Sequence, residues 1–383
     1  MVWYRDERGE RKRKSFSGTT KAEVNKKITD YIAGFENQAA ASDGSAKLLR
    51  DSMQHWLQVF KFPSVKPTTY DRCECSAKNQ IYPLLGEKTV GDIAAADIQH
   101  LLNHWMSQGY AYTTVKKAYV LLNEYFRYLY REELIPKNPM VNVEMLKKGN
   151  FLSAQNKDNL PECETVTVFT AEEIEKFKAE AFRCWSNGER IYQQAAAYIL
   201  MLNPGLRTGE LLGLLNSDID LERKTLTVRQ GVKEVARRNG ADFTSGREIR
   251  VGKPKSATSK RTVPLNSTAS KMIEDLRKEV YFGENAPLVA DESGGYTRPV
   301  NFRKRYYRIL KAAGIEQRGL HSLRHTFATN LVNGVRQPDG TIHALSPRQV
   351  ADLLGHSTSQ ITELYYVKKD TARLDGITDG FEI

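Results

Sequence analysis

Apolar positions along the chain recur mostly at helical spacing, and alternate at strand spacing in only a few stretches. Leu49, Met53, Trp56, Leu57 and Phe60 form one stripe and predict an amphipathic helix. Lys66-Pro-Thr-Thr-Tyr70 opens a second helix, with Tyr82 and Leu85 near its end before Gly86. Thr89–Ile93 reads as a turn and Ala96–Leu102 as a third helix. A long fourth helix is expected over Thr113–Tyr130, ended by Pro136-Lys-Asn-Pro139. Its aromatics Tyr119, Tyr125, Phe126 and Tyr128 are assigned to a core. His100 and His104 have a spacing that could hold a metal, but with no further ligand nearby they read as ordinary histidines.

Ahead of these helices, Trp3–Ser17 has the pattern of a β-hairpin turning near Arg8-Gly9-Glu10. Its second strand carries Arg11, Lys12, Arg13 and Lys14. Thr19 and Thr20, with Glu23 following, signal a helix start. Residues 38–45 are small and polar, as in a flexible linker. A second polar stretch, Lys147–Val168, separates the helical region from the C-terminal half.

Phe169-Thr170-Ala-Glu-Glu173 is a capping box that opens this second half. An apolar helix over Gln193–Leu202 leads into Gly205-Leu-Arg207-Thr-Gly-Glu210. Strands are expected from Lys224–Val228 onward, with an Asn239-Gly240 hairpin signal and a basic run from Pro254 to Leu265. The hairpin over 231–250 is longer than a minimal one and adds basic surface. Arg298–Ala313 is a basic amphipathic helix, and Asn333–Thr341 a turn-rich insertion. Ser346-Pro347 caps a helix over Arg348–Leu354. Ile377 and Phe381 are apolar positions in an otherwise unpatterned tail, able to dock on another protomer or pack back in cis.

Composition narrows the partner. Of 383 residues, 57 are Lys or Arg and 46 Asp or Glu, so the net charge of +11 favours a polyanion. No apolar run approaches a membrane span and no signal-peptide core is seen, so a cytoplasmic protein is expected. Cys73, Cys75, Cys163 and Cys184 fit neither a zinc ribbon nor a CxxC redox motif and read as reduced thiols.

The chemistry concentrates near the C-terminus, in His321-Ser-Leu-Arg324-His325-Thr-Phe, Leu354-Gly355-His356 and Tyr365-Tyr366. His321 and Arg324, three apart, share a helix face. Arg forks recognise phosphate oxygens, imidazoles donate hydrogen bonds or protons, and a phenol can attack phosphorus. A metal site using His321 and His325 lacks the glutamate of H-E-x-x-H and a third ligand. His325 is expected to point about 100° from His321 as a buried, hydrogen-bonded support.

These residues resemble the motifs of tyrosine recombinases, the phage-integrase family. Gly205-Leu-Arg207-Thr-Gly-Glu210-Leu resembles the first arginine box. Pro254-Lys255-Ser256, with Arg261-Thr-Val-Pro264, resembles the hairpin that carries a catalytic lysine, and His321-x-x-Arg324 the H-x-x-R box. Leu353-Leu354-Gly355-His356 resembles the second histidine box. The resemblance implies an α+β multidomain protein: an arm-type DNA-binding domain over 1–40 that lacks a usual first strand, an all-α core-binding domain over 47–148, and a mainly α catalytic domain with a small antiparallel sheet over 165–383.

It further implies Arg207, Lys255, His321, Arg324 and His356 as catalytic residues, with Tyr366 as nucleophile and Tyr365 as the alternative. Glu210 is read as bracing an arginine or the helix. Arg11–Lys14, Thr68, Thr69, Lys116, Lys117, Lys253, Lys260 and Arg261 are the expected DNA contacts, Lys253 and Lys260 also being rivals for the lysine role. The partners implied are double-stranded DNA, three further protomers in a tetramer on paired sites, and an excisionase or host DNA-bending protein. No cofactor or metal is implied. A relaxing topoisomerase and a DNA-binding module with a decayed site remain as alternatives.

Overall fold

The computed structural model describes residues 2–5, 11–16, 18, 24, 27, 44–145, 147, 168–252, 260–336 and 342–355. The chain forms two compact units. One comprises 1–160 with 238–244, the other 161–237 with 245–383.

In the first unit, β1 (Val2–Arg5) pairs antiparallel with β2 (Arg11–Lys14), in a register that sets Val2 opposite Lys14. The helix expected next lies outside the described residues, except that Val24 and Lys27 are helical. The helical region begins with α1 (Leu49–Trp56), a π-helical turn over Leu57–Lys61 and α2 (Phe62–Ser64). Leu49, Met53, Trp56 and Leu57 are buried as their stripe predicts. Phe60 is not: it is 44% exposed, because the wider π turn shifts the phase of the stripe.

The second expected helix is built from α3 (Pro67–Ser76), a π turn over Ala77–Ile81 and α4 (Tyr82–Leu85). α5 (Ala95–Ser107) and α6 (Tyr112–Arg131) complete the set. α6 ends at Arg131, earlier than its proline signal, where Glu133 takes a left-handed φ of 57°. Tyr125 and Phe126 are fully buried, while Tyr119 and Tyr128 are half-buried against the same core.

Residues 238–244 give this unit a buried charge cluster. The Arg238 guanidinium lies 4.6 Å above the Tyr70 ring. It donates to Asp71 at 2.8 Å and Glu74 at 2.8 Å, and to the Ala241 carbonyl at 2.8 Å. Gln58 donates to Asp242 at 2.7 Å. The Arg238 side chain is 5% exposed, so both carboxylates depend on it. Burial alone would raise the Glu74 carboxyl, but Arg238 and Lys78 outweigh it and hold the group below its ordinary range.

The second unit starts with α7 (Ala171–Ala181), capped reciprocally by Thr170 and Glu173. The helices α8 (Ala195–Met201) and α9 (Thr208–Leu212) follow. A three-stranded antiparallel sheet has the order β3 (Ile219–Asp220), β4 (Thr225–Val228), β7 (Arg261–Pro264). Between the last two runs the hairpin of β5 (Gly231–Asn239) and β6 (Asp242–Gly252), with Gly240 at a φ of 58° in its turn. Then come α10 (Ser267–Glu279), α11 (Pro299–Ala312), α12 (His321–Asn333), the two-residue strands β8 (Val335–Arg336) and β9 (Ile342–His343), and α13 (Pro347–Leu354).

All seven residues of α8 are buried, so it forms the axis of this unit's core. Around it Tyr198 stacks on Phe302 at 4.3 Å, and Phe177 meets Tyr306 edge-on at 5.8 Å. Such pairs add about 0.5–1.5 kcal/mol each beyond the area they bury. The Tyr198 hydroxyl donates to the Phe302 carbonyl, satisfying the polar end of a buried ring. Among the described residues no helix is long and apolar enough to cross a membrane, and no three His, Cys, Asp or Glu side chains cluster to hold a metal ion.

Candidate active site and nucleic-acid interface

The H-x-x-R segment sits on α12, whose two faces have separate tasks. On the inner face Leu323 is fully buried, Ser322 shares a hydrogen bond with the Tyr306 hydroxyl at 3.1 Å, and Thr326 accepts from the Phe169 amide at 2.9 Å. These contacts fix the rotation of the helix and so direct His321, Arg324 and His325 to one other side.

Arg324 is 3% exposed and donates to the Gly205 carbonyl at 2.6 Å and to the Leu354 carbonyl at 2.8 Å. His321 keeps an open side to solvent. The protein packed around the rest of its ring, joined by the Arg324 and Arg207 guanidiniums, lowers its pKa. The His325 ring does not point away as expected. It meets the His321 ring edge-on with centroids 5.9 Å apart. Four residues make about 400° of helix, so the two side chains diverge by only about 40°. Burial, with His321 and Arg324 adding to it, pushes His325 down to about 4.

Arg207 occupies the N-cap position of α9 and is one-third exposed. The loop before it needs glycine. Gly205 has a φ of 61°, and a Cβ there would lie 2.5 Å from Phe327 and 2.7 Å from Leu354. Gly209 is required by close approach: its Cβ would lie 2.7 Å from the Val232 carbonyl. Glu210, buried, accepts from Arg207 Nη1 at 2.6 Å and from the Arg207 amide at 3.0 Å. Its second cation is Arg261, whose Nη2 donates at 3.0 Å. Burial would raise the Glu210 carboxyl, but Arg261 and Arg207 outweigh it, and it is held below the usual carboxylate range.

The C-terminus of α13 gathers these groups. Its last carbonyls have no partner within the helix. Gly355, left-handed at a φ of 66°, satisfies those of Ala351 and Asp352 with its own N–H. The next three are met by three arginines. Arg261 Nε donates to Leu353 at 2.8 Å, Arg324 Nη2 to Leu354 at 2.8 Å, and Arg207 Nη2 to Gly355 at 3.3 Å. Cations are favoured at this negative end of a helix. The arrangement brings arginines from three distant segments to three successive carbonyls, Leu353 to Gly355, at the end of α13.

His356, Tyr365, Tyr366, Lys255 and Lys253 lie outside the described residues. Lys260 is exposed, just ahead of β7. Arg261, expected to touch DNA, has an 8% exposed side chain that serves Glu210 and Leu353 within the protein. A sequence signal for this exists: Arg261 and Val263 are two apart on one strand and so share a face, and Val263 is core.

In the first unit, Thr69, Lys116 and Lys117 line one cleft of about 450 Å³ between α3 and α6. Lys61 and Arg72, not singled out from the sequence, line it too. Thr68 is half-buried and is not among its lining residues. β2 supplies Arg11–Lys14 on a strand.

Residues 167–373, more than half the chain, match the model of the phage integrase family, and residues 48–106 match that of a phage integrase N-terminal SAM-like domain. The chain belongs to the phage integrase family of tyrosine recombinases. A XerC-like tyrosine recombinase of Caldanaerobacter subterraneus subsp. tengcongensis is 31% identical, covering 98% of this chain and 94% of the relative. The transposase of transposon Tn916 from Enterococcus faecalis is 24% identical over 74% of this chain and 65% of its own length. The fold of this recombinase is similar to that of the Tn1549 transposon integrase bound to circular-intermediate DNA, with a TM-score of 0.64 at 19% identity over 88% of this chain and all of the other. It is also similar to a lambda integrase dimer bound to a core site, at 0.60 and 20% identity over 95% and 91%. Tyrosine recombinases cleave and rejoin DNA, and in this recombinase Arg207 and Arg324 meet on the neighbouring carbonyls of Gly355 and Leu354.

Proposed function

We propose that this chain is a site-specific recombinase that integrates and excises a mobile element through a 3′-phosphotyrosine intermediate. The observation that carries the reading is the meeting of Arg207 and Arg324 on the carbonyls of Gly355 and Leu354, with His321 beside them. Two fixed guanidiniums suit the non-bridging oxygens of a phosphodiester, whose negative charge grows in the transition state. His321, with its lowered pKa, is neutral at pH 7 and contributes an N–H donor. His356 completes the cage.

In this mechanism the Tyr366 phenol gives up its proton to solvent as its oxygen attacks phosphorus, and the bond to the 5′-oxygen breaks. Lys255 supplies the proton with which that oxygen leaves as a hydroxyl. Attack by a partner strand's 5′-hydroxyl on the phosphotyrosine restores the tyrosine and joins the new strand. The covalent bond conserves the energy of the broken one, so no nucleotide is consumed. Arg11–Lys14, Thr68, Thr69, Lys116, Lys117, Lys253 and Lys260 contact phosphates, a role supported by the cleft that gathers three of them. Four protomers act on paired sites, as in the related lambda integrase solved as a tetramer on a Holliday junction. An excisionase or host DNA-bending protein is the further partner of this reading. No specific observation favours a relaxing topoisomerase or a decayed site.

A nicked suicide substrate tests the reading by trapping covalent protein–DNA complex. Tyr366→Phe is expected to bind DNA and form none, while Tyr365→Phe still forms it. The reverse result moves the nucleophile to Tyr365, and absence of any complex with the unaltered protein sinks the recombinase reading.

A further inference from the structure

We infer that Arg261 is a positioning residue for the reaction, setting Arg207 through Glu210 and the C-terminal end of α13 through the Leu353 carbonyl. The inference rests on the recombinase reading above. Its basis is the geometry of one side chain. Arg261 begins β7, where its pairing with Val228 places it on the inner face of the three-stranded sheet with Val263. From there Nη2 reaches Glu210 Oε2 at 3.0 Å, and Nε reaches the Leu353 oxygen at 2.8 Å.

Glu210 Oε2 also accepts the Arg207 amide, and Oε1 holds Arg207 Nη1. One carboxylate therefore fixes both ends of Arg207, and Arg261 fixes that carboxylate. A buried acid facing one partly exposed arginine is less well compensated than one facing two. The second cation keeps Glu210 ionised and its rotamer set. The other contact spans to α13, which holds Arg324 Nη2 at the next carbonyl and Arg207 Nη2 at the one after. Arg261 thus joins the strand next to the Lys255 segment, the first arginine box and the turn into the second histidine box. A planar, always-charged guanidinium presents Nε–H and Nη2–H in a fixed fork, so one orientation serves the carboxylate and the carbonyl together, whereas the three donors of a lysine radiate from a single nitrogen.

The test compares Arg261→Gln and Arg261→Lys with the unaltered full-length protein. Each is measured for DNA affinity, thermal stability and single-turnover covalent-complex formation at saturating DNA across pH 5–8. Arg261→Gln is expected to bind DNA with near-unchanged affinity and salt slope, and to form covalent complex about 10²-fold more slowly, the size of effect a displaced catalytic group gives.

Its pH profile carries the discriminating signal. Glu210 faces Arg207 and Arg261, with His321 also in its field. Without Arg261 its carboxyl titrates higher, so the rate of Arg261→Gln falls on acidification at a pH where the unaltered protein is flat. Adding Glu210→Gln to Arg261→Gln removes that fall. Arg261→Lys keeps a cation beside Glu210, so its rate drops without the new acid limb. It also keeps the test open if the glutamine variant does not fold.

Weaker DNA binding with a shallower salt slope and normal cleavage at saturation would make Arg261 a phosphate contact and overturn the inference. A rate loss matched by lost stability, with an unmoved pH profile in both variants, would make it merely structural and also overturn it. Unaltered protein that forms no covalent complex would overturn the recombinase reading instead.

Discussion

Arg324 Nη1 lies 2.6 Å from the carbonyl oxygen of Gly205, which precedes it by 119 residues. The contact ties the H-x-x-R helix to the loop that presents Arg207. It is short and buried, and its other end is anchored on Leu354. Buried charge-assisted bonds of this kind are the stronger ones. The arginine pair is therefore set in advance of any substrate, which is what electrostatic stabilisation of a transition state requires.

Arg207→Lys keeps the charge but cannot hold Glu210 and Gly355 as a planar fork does. DNA affinity should stay near normal while cleavage falls by about 10²–10³, the usual effect of losing one such donor. Filter binding and single-turnover cleavage check this. Cleavage at the unaltered rate would make Arg207 structural.

Gly205→Ala forces a side chain into a left-handed conformation and against Phe327 and Leu354. Backbone strain of this type costs on the order of 1–3 kcal/mol. Urea unfolding should show a loss of at least this size, and cleavage should fall with it because Arg324 is bonded to the same residue. An unchanged midpoint would refute the close packing.

His321 and His325 both have lowered pKa values, the latter about 4. For a base this means the unfolded chain takes up protons first. The associated stability is complete above the ordinary histidine range near 6.5 and is lost as pH falls from there toward about 4. His325 contributes a slope of at most about 1.4 kcal/mol per pH unit, and His321, open to solvent on one side, contributes less. Urea midpoints measured between pH 7 and 4.5 should decline, and His325→Gln should decline less steeply. Identical slopes would show that His325 is not buried as described.

Arg238→Ala leaves Asp71 and Glu74 without their shared cation and uncovers Tyr70. Removing one partner of a buried ion cluster typically costs about 3–5 kcal/mol. Hydrogen exchange at 238–244 should accelerate and thermal stability should drop. Glu74 is held below its ordinary pKa, so the contact's contribution is present above the unfolded carboxylate range and fades as pH drops through the lowered folded value. Unchanged exchange would mean the cluster does not hold this segment.

Much of the fold was legible because helices announce themselves locally. The stripe from Leu49 to Leu57, the Thr170–Glu173 and Ser346-Pro347 caps and the Asn239-Gly240 turn depend on residues a few positions apart. Phe60 departs because a π turn changes the period, and nothing in the residues around it marks that turn. The two boxes containing Arg207 and Arg324 were likewise visible as short ordered motifs.

The sequence by itself determined which groups are available: two arginine boxes, a histidine, glycines where the loops must pass closely, and a basic surface for a polyanion. Only the tertiary structure decided which of the cations serve the protein and which face outward. Arg261 and Lys260 are neighbours in a basic run, yet the Arg261 side chain, set on the strand face it shares with Val263, is held against Glu210, while Lys260, just ahead of the strand, is exposed. Arg238 was one of many basic residues in a long hairpin until two carboxylates far from it in sequence enclosed it. Charge partners are set by distance in space, across 51 residues for Arg261 and Glu210 and 167 for Arg238 and Asp71, and local patterns carry no record of that distance.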